Sequence, residues 1–423
     1  MTTELRDRQY LWHPYSQHGW QTPTLKVSSA SGAYLTLEDG RKILDAVSSW
    51  WVTLHGHAHP KIAEAIAKQA RQLEQVIFAG FTHEPAVRLA ETLIMTMRER
   101  GTQLARVFYS DNGSTAVETA LKMAYQFHRK RGDQKRQRFL ALRHGYHGDT
   151  FGAMMVSDPN GFHSDFKNFF PHVDFVEPDD FEGLKIAVQE DSDNYAAFIL
   201  EPMIQGAEGM RIYSAEFLRE VRNLCSKHGI FLICDEVFTG FYRTGTAFAF
   251  EHARIAPDII CLSKGLSGGF LPFAATLCTE EMFSAFVSDE LSEAFLHGHS
   301  YTANPLGCAA ALASWNLLHE TACQDRIQRI AALTREEIEK LSSHPAVVLA
   351  RSIGTIGAVS LRTKEGYFAP IGRKVFPMAI EEGVLLRALG NVLYAVPPYC
   401  VTDEEMKRIY AVMAKVIDRL ELA

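Results

Sequence analysis

From about residue 104 the chain alternates short, unbroken apolar runs with stretches in which apolar residues return every three or four positions. The runs Arg106–Tyr109, Phe139–Leu142, Ala196–Leu200, Ile230–Cys234, Ile259–Leu262 and Ala274–Leu277 lack the polar alternation of a strand with one wet face. They read as strands covered on both sides. Between them, Thr115–His128 lines up Val117, Ala120, Leu121, Ala124 and Phe127 on one helical stripe. Ser214–His228 does the same with Phe217, Leu218, Val221, Leu224 and Cys225, with Ser214 as N-cap and Gly229 as stop. This alternation predicts an α/β fold, a mostly parallel sheet with helices on both faces. Ahead of it, residues 33–45 read as a hairpin around the two-residue turn Asp39-Gly40. Beyond residue 316 the pattern changes. Trp315–Leu341 reads as one long helical region, and Val347–Leu361 as strands broken at Gly354 and Gly357. A last helix opens on the capping box Thr402-Asp-Glu-Glu405. The expected division is a large domain over 50–315 and a smaller α+β domain built from 1–49 and 316–423.

Composition narrows the picture. A chain of 423 residues exceeds one ordinary core, which suits two domains. With no low-complexity linker between them, they should pack closely. The net charge of −7 favours neither nucleic acid nor an acidic membrane as partner. No apolar run approaches the ~20 residues of a membrane span. The opening MTTELRDRQYLWHPY has no apolar core segment, which predicts a cytoplasmic location. The seven cysteines include no CxxC pair, so neither a disulfide framework nor a structural zinc site is expected, and no metal is.

The chemistry concentrates at strand ends. Ile230–Cys234 runs into Asp235-Glu236, and Ile259–Leu262 runs into Ser263-Lys264, with Gly265, Gly268 and Gly269 just after. Open α/β sheets bind ligands beyond the carboxyl ends of their strands. A lysine after a strand is usually a solvated surface residue. Here the small neighbours let a ligand approach closely, and partial burial would make the amine a better nucleophile. An acid buried behind an apolar run needs a cationic partner. A lysine for a carbonyl carbon and an acid for a pyridinium nitrogen together match pyridoxal phosphate (PLP).

Asp111-Asn-Gly-Ser-Thr115, between a strand and a helix, is either a plain capped loop or a phosphate cradle. In His144-Gly-Tyr-His-Gly-Asp149 the spacing fits no common zinc motif, whereas Tyr146 could lie against a flat cofactor. His55, His57 and His59 read as satisfied loop histidines. The adjacent Trp50 and Trp51 should point different ways and not serve the same core, so one should line a pocket or an interface. Arg387, between apolar runs and near Tyr394, is a candidate for binding a carboxylate. Neither GxGxxG nor GxxxxGK[ST] follows a strand, which argues against a nucleotide-binding module.

The stretch from Asp235-Glu236 through Gly240-Phe-Tyr-Arg-Thr-Gly245 to Lys264 resembles the class III aminotransferases of PLP fold type I, and the resemblance covers nearly the whole chain. Trp12-His-Pro-Tyr15, Ser48-Ser-Trp-Trp51, Asp111-Asn-Gly-Ser114, His144 to Thr150, Glu201 to Gly206 and Pro397-Pro-Tyr399 are similar to the branch that aminates 8-amino-7-oxononanoate in biotin synthesis. The resemblance implies a catalytic set of Lys264, Asp235 and Tyr146. Lys264 would hold the cofactor covalently and carry the proton, Asp235 would pair with the ring nitrogen, and Tyr146 would lie against the ring. Gly113 and Ser114 would bind the phosphate, joined by Ser300 of the partner subunit with His299 beside it. Tyr15, Trp50, Trp51, Tyr146, Gly298, Arg387 and Tyr394 would line the substrate pocket of a homodimer with shared sites. The Trp50-Trp51 pair implies S-adenosylmethionine as amino donor, while HGHSYTANP is similar to relatives that use lysine. Tyr242 stands where the family often has glycine, which affects the local shape near Arg243. Rival readings are another ω-amino acid or diamine aminotransferase and a non-catalytic PLP-binding regulator.

Overall fold

The computed structural model describes residues 2–20, 24–160, 163–166, 168, 173–363 and 371–420. Its centre is a seven-stranded sheet ordered Leu104–Ser110, Ala274–Thr279, Ile259–Leu262, Phe231–Asp235, Tyr195–Leu200, Arg138–Leu142, Val173–Val176. All pairings are parallel except those of Ala274–Thr279, which runs against both neighbours. The unbroken apolar runs have a direct cause. Ile233, Ile259 and Cys261 pack on one face with Val117, Ala120 and Ala124 of the helix Gly113–Lys130. Their neighbours Leu232, Cys234, Ile260 and Leu262 pack on the other face with Phe217, Leu218 and Val221 of the helix Ala215–His228. Both faces are dry, so both parities must be apolar. Ser214 caps the second helix by accepting from the Phe217 N–H, and Gly229 ends it in the left-handed region.

Four expectations need correction. The strand Val173–Val176 was not read from sequence, because it is a partly exposed edge strand carrying Asp174, which is held by the Tyr195 hydroxyl at 2.6 Å. The helical region around Trp315 is two helices, Pro305–Leu318 and Thr321–Ser342. The first is apolar nearly all round and gives no amphipathic period. The chain breaks at Glu320, whose backbone is extended, and Gln324 Nε2 donates to the freed Leu318 carbonyl at 2.6 Å. The hairpin at Asp39-Gly40 closes over three residues: the Leu37 N–H donates to the Arg41 carbonyl, and Gly40 takes φ 86°. Gly354 (φ 54°) turns between strands, but Gly357 lies inside the strand Ile356–Leu361. A Cβ there would sit 2.5 Å from the Tyr410 hydroxyl and 2.9 Å from Ile338, both buried. Gly357→Ala is therefore expected to lower stability by about 1–3 kcal/mol through overpacking, read as a shift in urea midpoint at constant m-value.

Two smaller sheets flank the large one. Val27–Ser31, Tyr34–Leu37 and Lys42–Asp45 join Val384–Leu385 from the other end of the chain, with Val384 opposite Leu44 and Leu385 opposite Asp45. Val347–Ile353, Ile356–Leu361, Val392–Ala395 and Arg387–Leu389 form an antiparallel sheet in that order. The helix Pro305–Leu318 runs through residue 315. Among the described residues no helix is long and apolar enough to cross a membrane.

Candidate active site

Register sets the site. Asp235 ends its strand opposite Cys261, and Lys264 follows three residues later. After Leu262 the backbone turns sharply: Lys264 takes φ 44° and opens a short 3-10 turn closed by Gly268 at φ 64°. The Ser263 hydroxyl fixes the turn by donating to the Phe273 carbonyl at 2.8 Å. The Lys264 amine comes to rest 4.8 Å from the Trp51 ring centre and 5.6 Å from that of Phe238. Loss of water pushes its pKa down to about 8, against the pull of Asp235 and Glu201 and with a smaller push from Arg243. A pKa near 8 leaves about a tenth of the amine neutral at pH 7, some hundreds of times more than at 10.5, and the neutral amine is the nucleophile.

Asp235 is 4 % exposed. One oxygen accepts from the Val237 N–H at 3.1 Å, and the other lies 2.7 Å from Nδ1 of His147. The His147 ring is fully buried and its backbone N–H donates to the Ser157 hydroxyl. Sequence reading gave this acid a pyridinium nitrogen as partner and missed the imidazole of His147, although His147 sits in the HGYHGD motif. Glu201 was also given no role. It accepts from the N–H groups of Tyr146 (3.0 Å) and Gly206 (2.9 Å), and burial pushes its pKa up to about 7. It thereby fixes the backbone that presents Tyr146.

Opposite lies the start of the helix Gly113–Lys130. Asn112 caps it by accepting from the Thr115 N–H, and the Thr115 hydroxyl accepts in return from the Asn112 N–H, both at 3.1 Å. Gly113 permits close packing there, since a Cβ would lie 2.7 Å from Val237. Gly148, at φ 129°, leaves room for the Ser114 hydroxyl, which would be 2.1 Å from a Cβ. Helix-start N–H groups beside a hydroxyl form an anion site. Between these elements lies a cavity of about 640 Å³ walled by Gly113, Ser114, Tyr146, Asp235, Phe238 and Lys264. That size suits a small cofactor. The residues fit a flat phosphorylated pyridine aldehyde: an anion cradle at one end, a buried acid at the other, and a desolvated amine.

A second cavity of about 1310 Å³ continues outward, sharing Trp51, Val52, Tyr146 and Lys264 with the first. Its walls include Tyr15, Trp50 and Arg387. The Tyr15 hydroxyl lies 3.0 Å from that of Tyr146, and both bond to Asp149. Burial, then Asp149, raises the Tyr15 pKa to about 12. The Arg387 guanidinium lies 4.6 Å from the Trp50 ring centre, and Trp50 meets Tyr15 edge-on.

The expectation that the two tryptophans diverge fails. Both wall the outer cavity and share one apolar cluster, Trp51 buried and Trp50 packed against it. The backbone between them leaves the helical region, with Ser49 at φ 62°, ψ −87° and Trp50 at φ −133°, ψ 58°, so neighbouring indoles turn to the same side. Tyr394 is corrected too. It is 1 % exposed and stands behind Trp51 with ring centres 6.0 Å apart, opposite Arg387 across the strand pair. It supports the wall rather than forming it. Gly298, His299 and Ser300 line neither cavity of their own chain. His299 Nδ1 is 2.8 Å from Asp111, and the Ser300 carbonyl accepts from Gln75. Tyr242 takes φ 70°, a value that favours glycine, and Arg243 beside it is fully buried with Nη1 donating to the Pro397 carbonyl at 2.7 Å. Of the three loop histidines, His55 meets the Ser314 hydroxyl at 3.1 Å and His57 meets Asp45 at 2.9 Å, whereas Nδ1 of His59 is buried without a hydrogen-bond partner.

Residues 15–417 match the family described as Aminotransferase class-III. The chain is 48 % identical over 425 residues to the adenosylmethionine-8-amino-7-oxononanoate aminotransferase of Synechococcus elongatus, covering 97 % of this chain and 99 % of that one. It is 38 % identical to the enzyme of the same name from Corynebacterium glutamicum, with 95 % of each covered. Among solved structures, the enzyme of that name from Methanocaldococcus jannaschii superposes with a TM-score of 0.93 at 35 % identity, over 99 % of both chains. An amine transaminase from an uncultivated Pseudomonas species, in a PLP-bound form, gives 0.90 at 30 % identity over 97 % and 98 %. The sheet, the lysine–acid pair at its strand ends and these likenesses agree: the chain belongs to the class III aminotransferases.

Proposed function

We propose that this protein is a PLP-dependent aminotransferase that converts 8-amino-7-oxononanoate to 7,8-diaminononanoate in biotin synthesis, with S-adenosylmethionine as amino donor. The observation that carries the reading is the desolvated Lys264 amine, set over Trp51 and Phe238 within the field of Asp235. When bound, PLP supplies an aldehyde for the amine and a protonated ring that takes up the electrons of a broken C–H bond. The chain's residues do the rest. Lys264 would hold PLP through its desolvated amine and, when free, would move the proton at the substrate carbon. Asp235, held by His147 and the Val237 N–H, would pair with the ring nitrogen. Gly113 and Ser114 would hold the phosphate, Tyr146 would lie against the ring, and Trp50, Trp51 and Tyr15 would exclude water along the methylene chain.

Arg387 takes the substrate carboxylate. Arg387→Ala is expected to raise the KM for the keto acid about 10- to 100-fold, the worth of a charge-assisted contact of roughly 1.5–3 kcal/mol. Cofactor uptake, followed by absorbance, should stay unchanged; equal loss of both would mark a structural arginine. The active form is a homodimer in which Ser300 of the partner subunit reaches the phosphate, with the partner's His299 beside it. Residues 1–49 and 316–423 form a small domain over a large domain of 50–315, and the enzyme works in the cytoplasm. A single-turnover assay tests donor and substrate together. S-adenosylmethionine should convert the yellow enzyme to its amine-loaded form, and 8-amino-7-oxononanoate should reverse that. Conversion by lysine alone would reassign the donor, and indifference to 8-amino-7-oxononanoate would overturn the substrate.

A further inference from the structure

The turn that presents the two tryptophans is strained. Ser48, Ser49 and Trp51 take φ of 49°, 62° and 65°, a region that non-glycine residues enter at a cost. Such a turn persists only where its surroundings hold it, and here the side chain that holds its backbone N–H groups is a carboxylate. Asp45, the last residue of the strand Lys42–Asp45, is fully buried. Its Oδ1 accepts from the Val47 N–H at 3.0 Å, and its Oδ2 accepts from the Ser49 N–H at 2.7 Å. The same Oδ2 lies 2.9 Å from Nε2 of His57. His57 is itself tied down, its backbone bridging Gly32 in both directions. From the far side the Ser48 hydroxyl donates to the Val396 carbonyl at 2.7 Å.

We propose that Asp45, clasped by His57, is a positioning residue that sets substrate affinity by holding residues 47–51 in the conformation that places Trp51 under the Lys264 amine and Trp50 under Arg387. Asp45 touches neither cavity. It acts through two backbone N–H groups. The assignment deepens the aminotransferase reading above and rests on it for the identity of the substrate.

Asparagine at position 45 keeps the shape but offers one acceptor oxygen instead of two, so either Val47 or Ser49 loses its partner. In purified full-length protein, Asp45→Asn should speed amide hydrogen exchange at least tenfold in peptides covering 46–53. The strands of the large sheet should stay protected. The KM for 8-amino-7-oxononanoate should rise about tenfold or more, with kcat within about threefold. His57→Leu, which leaves both backbone contacts in place, should show the same pattern more weakly, and it serves if Asp45→Asn does not fold. His57→Gln, which keeps an N–H for the carboxylate, should restore most of the loss seen with leucine. Adding Ser49→Gly to Asp45→Asn should recover part of the affinity, because glycine adopts φ 62° without strain. Unchanged exchange over 46–53, or a KM within twofold of the parent's, overturns the assignment. So does deprotection spread evenly over the molecule with kcat and kcat/KM falling together, the mark of a merely structural acid. If the parent protein ignores 8-amino-7-oxononanoate, the substrate reading fails while the exchange pattern still decides whether the clasp holds the turn.

Discussion

Replacing Lys264 with alanine is expected to cut turnover by on the order of 10⁴-fold, the upper range for a positioned proton carrier. Among the described residues, the Lys264 amine is the one set against Trp51 and Phe238, at the end of Ile259–Leu262. The matching chemical test is borohydride reduction followed by peptide mapping. The parent protein should retain reduced cofactor on the peptide containing residue 264, and Lys264→Ala should retain none. A reducible link in the variant would mean that another amine holds the cofactor. The pKa adds a pH signature. With the amine at about 8 instead of 10.5, capture of the aldehyde by cofactor-free protein should rise nearly tenfold per pH unit below 8 and level off above it. The sign for stability follows from the same shift. The fold resists taking up this proton, so in cofactor-free protein Lys264 lowers stability below about pH 8, and that effect fades as pH climbs towards 10.5.

Asp235→Asn is expected to slow the half-reaction with the amino donor by about 10²- to 10³-fold, the usual effect of removing one preorganised charge from a desolvated site. Stopped-flow absorbance of the yellow form reads this directly. The substitution preserves shape, so folding should survive. A second readout comes with it. The Asp235 charge is the strongest influence holding the Lys264 pKa up, so its loss should move the midpoint of aldehyde capture below pH 8. A half-reaction within tenfold of the parent's, with an unmoved midpoint, would show that the acid serves only to pair with His147.

How much of this was legible in the sequence depends on how local each signal is. The large sheet announced itself because Leu232, Ile233, Ile259 and Ile260 must face two dry sides in turn, which leaves an unbroken apolar run. The Ser214 cap, the Gly229 stop and the Thr402 capping box were legible because they satisfy N–H and carbonyl groups a few residues away. The lysine–acid pair was legible from strand ends and glycines. What sequence reading missed depends on distant contacts. His147 meets Asp235 across 88 positions of chain, and no local pattern encodes that meeting. Tyr394 looked like a pocket residue because it neighbours Arg387, but Trp51 packs over it and buries it within an apolar cluster. The break at Glu320 was hidden because the helix before it is apolar all round. The two tryptophans were misjudged because a strained turn overrides the usual divergence of neighbouring side chains.

The reversed strand Ala274–Thr279 has one more effect. Because it runs back beside Ile259–Leu262, the chain leaves Lys264 and returns at the same rim, with Ala274 opposite Ser110 next to the helix Gly113–Lys130. Residues 263–273 therefore form a short strap riveted to adjacent rails, with no crossover helix between them. Both ends of the strap that carries Lys264 are thus anchored in neighbouring strands of one sheet.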